Sequence, residues 1–253
     1  MSKVHTLVVG DTHMNWPAFL RVLHHFLPKV CIVAGDFGWW PNSWMAAQYK
    51  GEYEKSLLWF LEKKPRHTQI RFIEGNHEDL DNLFRLHRSL TDNPFEAVEL
   101  YPDLWFQPRG STFELADGRT VFFCGGGKSV DNAIREKGIS WFPQEEVSRD
   151  ELPKTLPQAD LVISHTVPNI SGVFDTLTPL KQVCEWWDDT PDKTCTTLDY
   201  VWETLHPKLW LASHLHVFRE TTYEGTKFIV LDRTDGSDRP WNYFTYVLID
   251  RLK

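Results

Sequence analysis

VCIVAGD, residues 30–36, drives an apolar run straight into a glycine and an aspartate. The run is too short for a helix and lacks period-two polarity, so it reads as a strand covered on both faces. Two stretches of the same form flank it, VHTLVVGD at 4–11 and IRFIEGN at 70–76. Longer amphipathic segments alternate with them: Trp16 to Leu27, Trp44 to Leu61 and Leu80 to Leu90. Pro41, Asn42 and Ser43 are suited to starting the second of these, and Pro65 to stopping it. Strand and helix in regular succession predict β-α-β units and a mainly parallel sheet with helices lying on it.

Beyond residue 110 the pattern changes. FELADGRTVFFCGGG, 113–127, places Asp117-Gly118 between apolar segments and predicts a two-residue hairpin with positive φ at the turn. FRETTYEGTKFIVLD, 218–232, predicts a second hairpin at Glu224-Gly225, and YFTYVLID, 243–250, a final strand. ADLVISH (159–165) and KLWLASH (208–214) add two covered strands, with a helical TTLDYVWETLH before the second. Antiparallel elements thus join parallel ones in a mixed sheet or a pair of packed sheets. No linker composition or repeat interrupts the chain, so residues 1–253 read as one domain with decorating loops around 125–150 and 166–196.

Composition sets the outer limits. A chain of 253 residues corresponds to one or two domains at roughly 150 residues each. The net charge of -8 repels a polyanion at long range, which disfavours a general duplex binder. No apolar stretch approaches the roughly 18 residues of a membrane span, and the N-terminus meets Asp11 too early for a signal sequence, so a soluble cytoplasmic protein is expected. Cys31, Cys124, Cys184 and Cys195 form no CxxC pattern and read as buried free thiols, with a Cys184 to Cys195 bridge as the other option.

The chemistry lies at the strand ends. Asp11 and His13 follow the first run, Asp36 the second, Asn76 and His77 the third, His165 a later one, and His214 and His216 the last. In an open α/β sheet those ends share one edge, where ligand crevices form. Leaving His77 aside, the set holds four imidazoles, two carboxylates and one amide, a mixture suited to Mn, Fe, Zn, Co or Ni rather than calcium. It exceeds what a single structural zinc needs, and two ions sharing one carboxylate fit better. Glycine precedes the key residue in GDTH, GDFG and GNHE, where a tight turn aims a side chain back at the edge.

The order GDTH, GD, GNHE, SH, SHLH resembles the calcineurin-like metallophosphoesterase superfamily over residues 5 to 216. The resemblance implies an α/β fold, a four-layer α-β-β-α sandwich of two mixed sheets flanked by helices, with a binuclear metal centre at the strand ends. It implies Asp11, His13, Asp36 and His216 around one ion and Asp36, Asn76, His165 and His214 around the other, with Asp36 as the bridge. GGGKSVDNAIR and ISWFPQEE are similar to a segment of bacterial and phage members. Two departures stand out. Ser213 replaces the glycine usual before the paired histidines, and GDFGWW lacks the Asp-Arg-Gly continuation of the phosphoprotein phosphatases.

Two divalent ions, with manganese the foremost expectation, would attract phosphate despite the negative chain and make a bridging water acidic enough to attack in line. His77, beside Asn76 but not needed for coordination, is the candidate general acid, with Glu78 or Asp79 orienting it or serving the following helix. Lys128 and Arg135, after the triple glycine, are candidates for gripping the phosphate; Trp39 and Trp40, with Trp186 and Trp187 behind them, are candidates for stacking on an aromatic group. The expected activity is hydrolysis of phosphomonoesters or phosphodiesters of small molecules, nucleotides among them. A nuclease on the same site is the alternative and needs a basic track; a noncatalytic scaffold is the third reading, and it would have lost ligands that this chain retains.

Overall fold

A computed structural model describes residues 5–42, 52–173, 190–234 and 246–249. In chain order the strands are β1 (Thr6–Val9), β2 (Val30–Val33), β3 (Gln69–Phe72), β4 (Val98–Tyr101), β5 (Leu104–Phe106), β6 (Thr112–Glu114), β7 (Thr120–Cys124), β8 (Leu161–Ser164), β9 (Leu209–Ala212), β10 (Arg219–Tyr223), β11 (Thr226–Val230) and β12 (Tyr246–Leu248). The described α-helices are α1 (Trp16–Phe26), α2 (Tyr53–Lys63), α3 (Leu80–Leu90) and α4 (Lys193–Leu205).

The strands form two six-stranded sheets, ordered β12-β1-β2-β3-β5-β4 and β10-β11-β9-β8-β7-β6. Each has four parallel strands at its centre and one antiparallel strand at either edge. Side chains alternate across the pleat and thereby build three cores. Leu7, Val9, Cys31, Val33, Ile70 and Phe72 face outward from the first sheet into a core with Trp16, Phe19, Phe60 and Leu83 of α1, α2 and α3. Val8, Ile32, Phe123, Ile163, Leu211 and Ile229 fill the space between the sheets. Phe122, Val162, Trp210 and Phe228 meet Leu198, Val201 and Trp202 of α4. The layers are α-β-β-α, the calcineurin-like sandwich, and the central strands lack period-two polarity because both faces are covered.

The helices begin where local chemistry starts them. Asn15 Oδ1 accepts from Ala18 N at 3.2 Å and proline stands in the first turn of α1. Asp79 and Asp192 cap α3 and α4 in the same way, through the N–H groups of Asn82 and Thr194. Of the helix expected over Trp44 to Leu61, the structure describes α2 from Tyr53 to Lys63; the expected start lies outside the described residues.

Two details differ from expectation. The β6–β7 connection closes with Leu115 N donating to Arg119 O at 2.8 Å, so three residues turn the chain and only Gly118, at φ 86°, is left-handed. That is a type I turn followed by a bulge glycine, not a two-residue hairpin. The β4–β5 hairpin was not anticipated; it turns at Pro102 and Asp103, with Asp103 at φ 63°. The β10–β11 turn matches, Glu224 and Gly225 both taking positive φ, at 43° and 85°. Cys31, Cys124 and Cys195 are buried free thiols, and Cys184 lies outside the described residues. Among the described residues no helix is long and apolar enough to cross a membrane.

Candidate metal centre

Five loops leave the carboxyl ends of β1, β2 and β3 in one sheet and β8 and β9 in the other, and backbone hydrogen bonds stitch them together. The N–H groups of Thr12 and His13 both donate to Asp36 O, at 3.0 and 2.8 Å, and Ser213 N donates to His165 O at 2.8 Å. Gly35 and Gly75 make the close approach. At Gly35, φ 92°, a Cβ would lie 2.1 Å from His165 Nδ1; at Gly75 it would lie 2.0 Å from Asp36 Oδ1. The glycines before Asp36 and Asn76 therefore make room for the neighbouring candidate ligand, and at Gly35 the turn requires glycine as well.

Asp11, His13, Asp36 and His216 each offer an atom within 4.8 Å of the others, a group that could hold a metal ion. His13 Nε2 stands 3.1 Å from His216 Nε2 and 3.8 Å from Oδ2 of both Asp11 and Asp36. His216 Nε2 is 2.9 Å from Asp11 Oδ2. The carboxylates supply the fit test for a cation. Asp11 Oδ2 and Asp36 Oδ2 are buried and accept no aligned hydrogen bond, whereas their Oδ1 atoms are occupied. Asp36 Oδ1 accepts from His77 N at 2.7 Å, and Asp11 Oδ1 accepts from the Ser213 hydroxyl and from His214 N. Two buried carboxylate oxygens facing the imidazole nitrogens of His13 and His216 are suited to a divalent ion.

The other expected ligands adjoin this group. His165 Nε2 lies 2.9 Å from Asn76 Oδ1 and 3.5 Å from Asp36 Oδ1, and the His214 ring centroid is 4.7 Å from that of His165. His165 Nδ1 faces Ala34 O at 2.9 Å, which fixes Nδ1 as the donor and leaves Nε2 turned toward Asn76 and Asp36. Asn76 Nδ2 donates to Ser129 Oγ at 2.9 Å, so the amide oxygen is the atom on the His165 side.

The electrostatics follow from burying two anions among imidazoles. Burial raises the Asp11 pKa, but contact with His216 and the field of His165 outweigh it and bring it to about 2. Burial likewise raises Asp36, and His165, His77 and His13 carry it well below the carboxylate range. His165 answers in the opposite direction: burial lowers it, and Asp36 and Asp11 lift it to about 10. His214, buried beside His165, falls to about 4.

His77 projects beside this cluster, its ring 5.1 Å from that of His13, and meets Arg135 rather than Glu78 or Asp79. Arg135 Nη2 is 2.8 Å from His77 Nε2, and Arg135 Nε pairs with Asp131 at 2.8 Å. Burial lowers the His77 pKa, Asp36 opposes this, and Arg135 adds to it, leaving about 3. Asp79 is occupied as a helix cap. Glu78 braces two loops instead, accepting from Gly38 N at 3.1 Å and Gly75 N at 2.6 Å; burial and the nearby Asp36 raise its pKa to about 8.

Three candidate substrate contacts are engaged by the chain itself. Lys128 directs its ammonium onto the Thr190 carbonyl at 2.7 Å and onto the Thr190 hydroxyl. Trp39 and Trp40 are 3% exposed, Trp39 donating to Asn82 Oδ1 at 3.0 Å and Trp40 packing near Phe142, so both rings are spent on the core. Trp186 and Trp187 lie outside the described residues. Ser213, in place of the usual glycine, is fully buried with its hydroxyl on Asp11 and 2.7 Å from Ala34 O. Its position between a covered strand and the paired histidines was the available signal.

Several solved structures resemble the chain at low identity. The TT1561 protein of Thermus thermophilus is 11% identical with a TM-score of 0.49, over 90% of this chain and 89% of that one. The phosphopantetheinyl hydrolase of Mycobacterium tuberculosis is 16% identical with a TM-score of 0.49, over 99% of both chains. A putative 5'-nucleotidase from Staphylococcus aureus is 13% identical with a TM-score of 0.45, over 91% of this chain and 48% of that one. No curated protein matches the chain by sequence. The calcineurin-like phosphoesterase family matches residues 4–218, which take in every candidate ligand from Asp11 to His216, and the chain belongs to that family of phosphate-ester hydrolases.

Proposed function

We propose that this protein hydrolyses phosphomonoesters or phosphodiesters of small molecules, nucleotides among them, at a centre of two divalent ions. Asp11, His13, Asp36 and His216 would hold one ion; Asp36, Asn76, His165 and His214 the other. The observation that carries this reading is the pair of buried oxygens, Asp11 Oδ2 and Asp36 Oδ2, which face imidazole nitrogens in the middle of that set and accept no aligned hydrogen bond. When bound, such ions supply an acidified water for in-line attack at phosphorus and a clamp on the phosphoryl oxygens.

The remaining chemistry belongs to the chain. Arg135, held by Asp131, offers a fixed guanidinium to the phosphate. That cation disfavours protonation of His77 in the free protein; an arriving phosphate offsets it, and His77 then carries the proton that the departing oxygen takes as its bond to phosphorus breaks. Asp36 Oδ1 accepts from the His77 backbone, which ties the proton donor to the shared carboxylate.

The test is Mn²⁺-dependent hydrolysis of p-nitrophenyl phosphate and bis-p-nitrophenyl phosphate, with single-stranded DNA as a further arm. Hydrolysis of an aryl ester is expected, with kcat reduced roughly 10²- to 10⁴-fold in His77→Ala at unchanged metal content. Metal-loaded protein that cleaves neither ester, or a His77→Ala variant as fast as the native protein, overturns the reading. Cleavage of DNA alone shifts the assignment to a nuclease.

A further inference from the structure

The segment after β7 reaches the candidate centre through a chain of three buried polar groups. Asn76 Nδ2 donates to Ser129 Oγ at 2.9 Å, and the Ser129 hydroxyl donates in turn to Glu145 Oε2. Glu145 Oε1 is occupied by Phe142 N at 3.1 Å, and its backbone carbonyl accepts from Gly127 N at 2.8 Å, so the carboxylate has little freedom to turn. Asn76, Ser129 and Glu145 are 3%, 1% and 1% exposed, leaving no bulk water to substitute for any partner.

With the Glu145 carboxylate ionised these bonds have only one consistent direction; burial raises its pKa to about 8, against the Ser129 and Phe142 donors that favour the charged form. A serine hydroxyl has one proton. With that proton on Glu145, Ser129 can present only a lone pair to Asn76. The amide must then turn its NH₂ toward Ser129 and its oxygen toward His165 Nε2, 2.9 Å away. A flipped amide would aim two N–H groups at the place where a cation needs an oxygen. We propose that Ser129 and Glu145 are positioning residues that set the orientation of the Asn76 amide and so make it a competent ligand for the second ion. Neither residue touches substrate or metal; both act through Asn76. The inference rests on the binuclear reading given above and extends it to a segment outside the five strand-end motifs.

Glu145→Gln makes the test sharp because it is isosteric. Phe142 N still requires the side-chain oxygen, so the new NH₂ faces Ser129 and donates to it. The serine proton is then driven toward Asn76 and favours the wrong amide face. Mn²⁺ titration by calorimetry on the full chain above pH 8, where Glu145 is ionised, is the readout, with the melting temperature measured alongside. The native protein should take two ions. Ser129→Ala and Glu145→Gln should weaken the second by about 10- to 100-fold, as loss of an outer hydrogen-bond partner does, while the first ion keeps its affinity. Ser129→Thr, which keeps the hydroxyl, should restore the second ion to within a few-fold. Tight binding of both ions by Glu145→Gln overturns the relay, as does equal weakening of both ions in proportion to lost stability. Fewer than two ions in the native protein overturns the binuclear reading itself, and the relay with it.

Discussion

Asp36→Asn separates the proposed ion-binding role of Asp36 from its part in the fold. The side chain is wholly buried, and its Oδ1 accepts from His77 N, a bond that the asparagine oxygen can keep. Only the charge and the lone Oδ2 are lost. The four candidate ligand atoms of one ion lie within 4.8 Å of one another, so an ion among them sits about 3 Å from each. At an effective dielectric of 20, a divalent ion and a carboxylate at that distance attract by about 11 kcal/mol before the cost of dehydration. A net loss of only a quarter of this weakens binding about 100-fold. With Mn²⁺ at 100 times the native Kd, binding stabilises the fold by about 2.7 kcal/mol, and for a chain of this size that raises Tm by roughly 5 to 11 °C. At the same concentration the variant would sit near its own Kd, where about 0.4 kcal/mol remains, or a shift of roughly 1 to 2 °C. Thermal denaturation of EDTA-treated protein, with and without Mn²⁺, reads this directly. A variant that gains as much as the native protein refutes Asp36 as a ligand, and a native protein that gains nothing refutes the metal centre.

Two further outcomes follow from the same geometry. Arg109 is buried against Glu74, Nε to Oε1 at 2.6 Å, immediately before the Gly75-Asn76 loop; Arg109→Met should cost about 3 to 5 kcal/mol in urea unfolding because it strands a buried carboxyl, and an unchanged midpoint contradicts this. Metal binding near pH 7 should release about one to two protons, since the metal-free field lifts His165 to about 10, contact with Asp11 raises His216 despite partial burial, and a ligating imidazole must be neutral; calorimetric enthalpies that do not vary between buffers of different ionisation enthalpy would exclude it. The sign carries over to metal-free stability. The His165 contribution is complete below its ordinary 6.5 and is lost as pH rises through about 10, while that of Asp11 is complete above its ordinary 3.8 and is lost as pH falls through about 2.

The central strands were legible because burial on both faces writes itself as a continuous apolar run. LVV, CIV and LWL could not be half-exposed, and burial of every residue in β1, β2 and β9 bears this out. β4 and β5 were not legible for the opposite reason. VELY is mostly half-exposed or exposed, and Pro102 interrupts the pattern between two short strands. The β6–β7 turn was found but mis-sized, because Asp-Gly identifies a left-handed residue without fixing which flanking pair closes the ladder. Candidate ligands were readable because each stands within four residues of a strand end and inherits that strand's place at the common edge. Trp39 also follows a strand closely, yet Gly38, at φ 95°, turns the chain back and buries the ring near Phe72 and Tyr53. Lys128 depends in the same way on the path of a loop, and a loop's path is decided by partners distant in sequence, here Thr190 and Asp192.

Backbone strain gives an independent reason to regard the strand ends as more than a scaffold. His13, Asp36, His214 and His216 all hold positive φ, at 42°, 50°, 65° and 49°. Each such residue costs on the order of 1 to 3 kcal/mol relative to a relaxed conformation, and glycine could occupy those positions without it. Glycine does occupy the position before Asp36, so the chain uses it where only backbone is required. At four strained positions it carries imidazole or carboxylate instead, and it secures them with paired N–H donors on Asp36 O and a buried serine on Asp11. A fold kept for shape alone gains nothing from that arrangement. A fold that must bring charged and imidazole side chains from both sheets to one point requires sharp turns near the residues that carry the chemistry, and four of the nine described non-glycine residues at positive φ are candidate ligands.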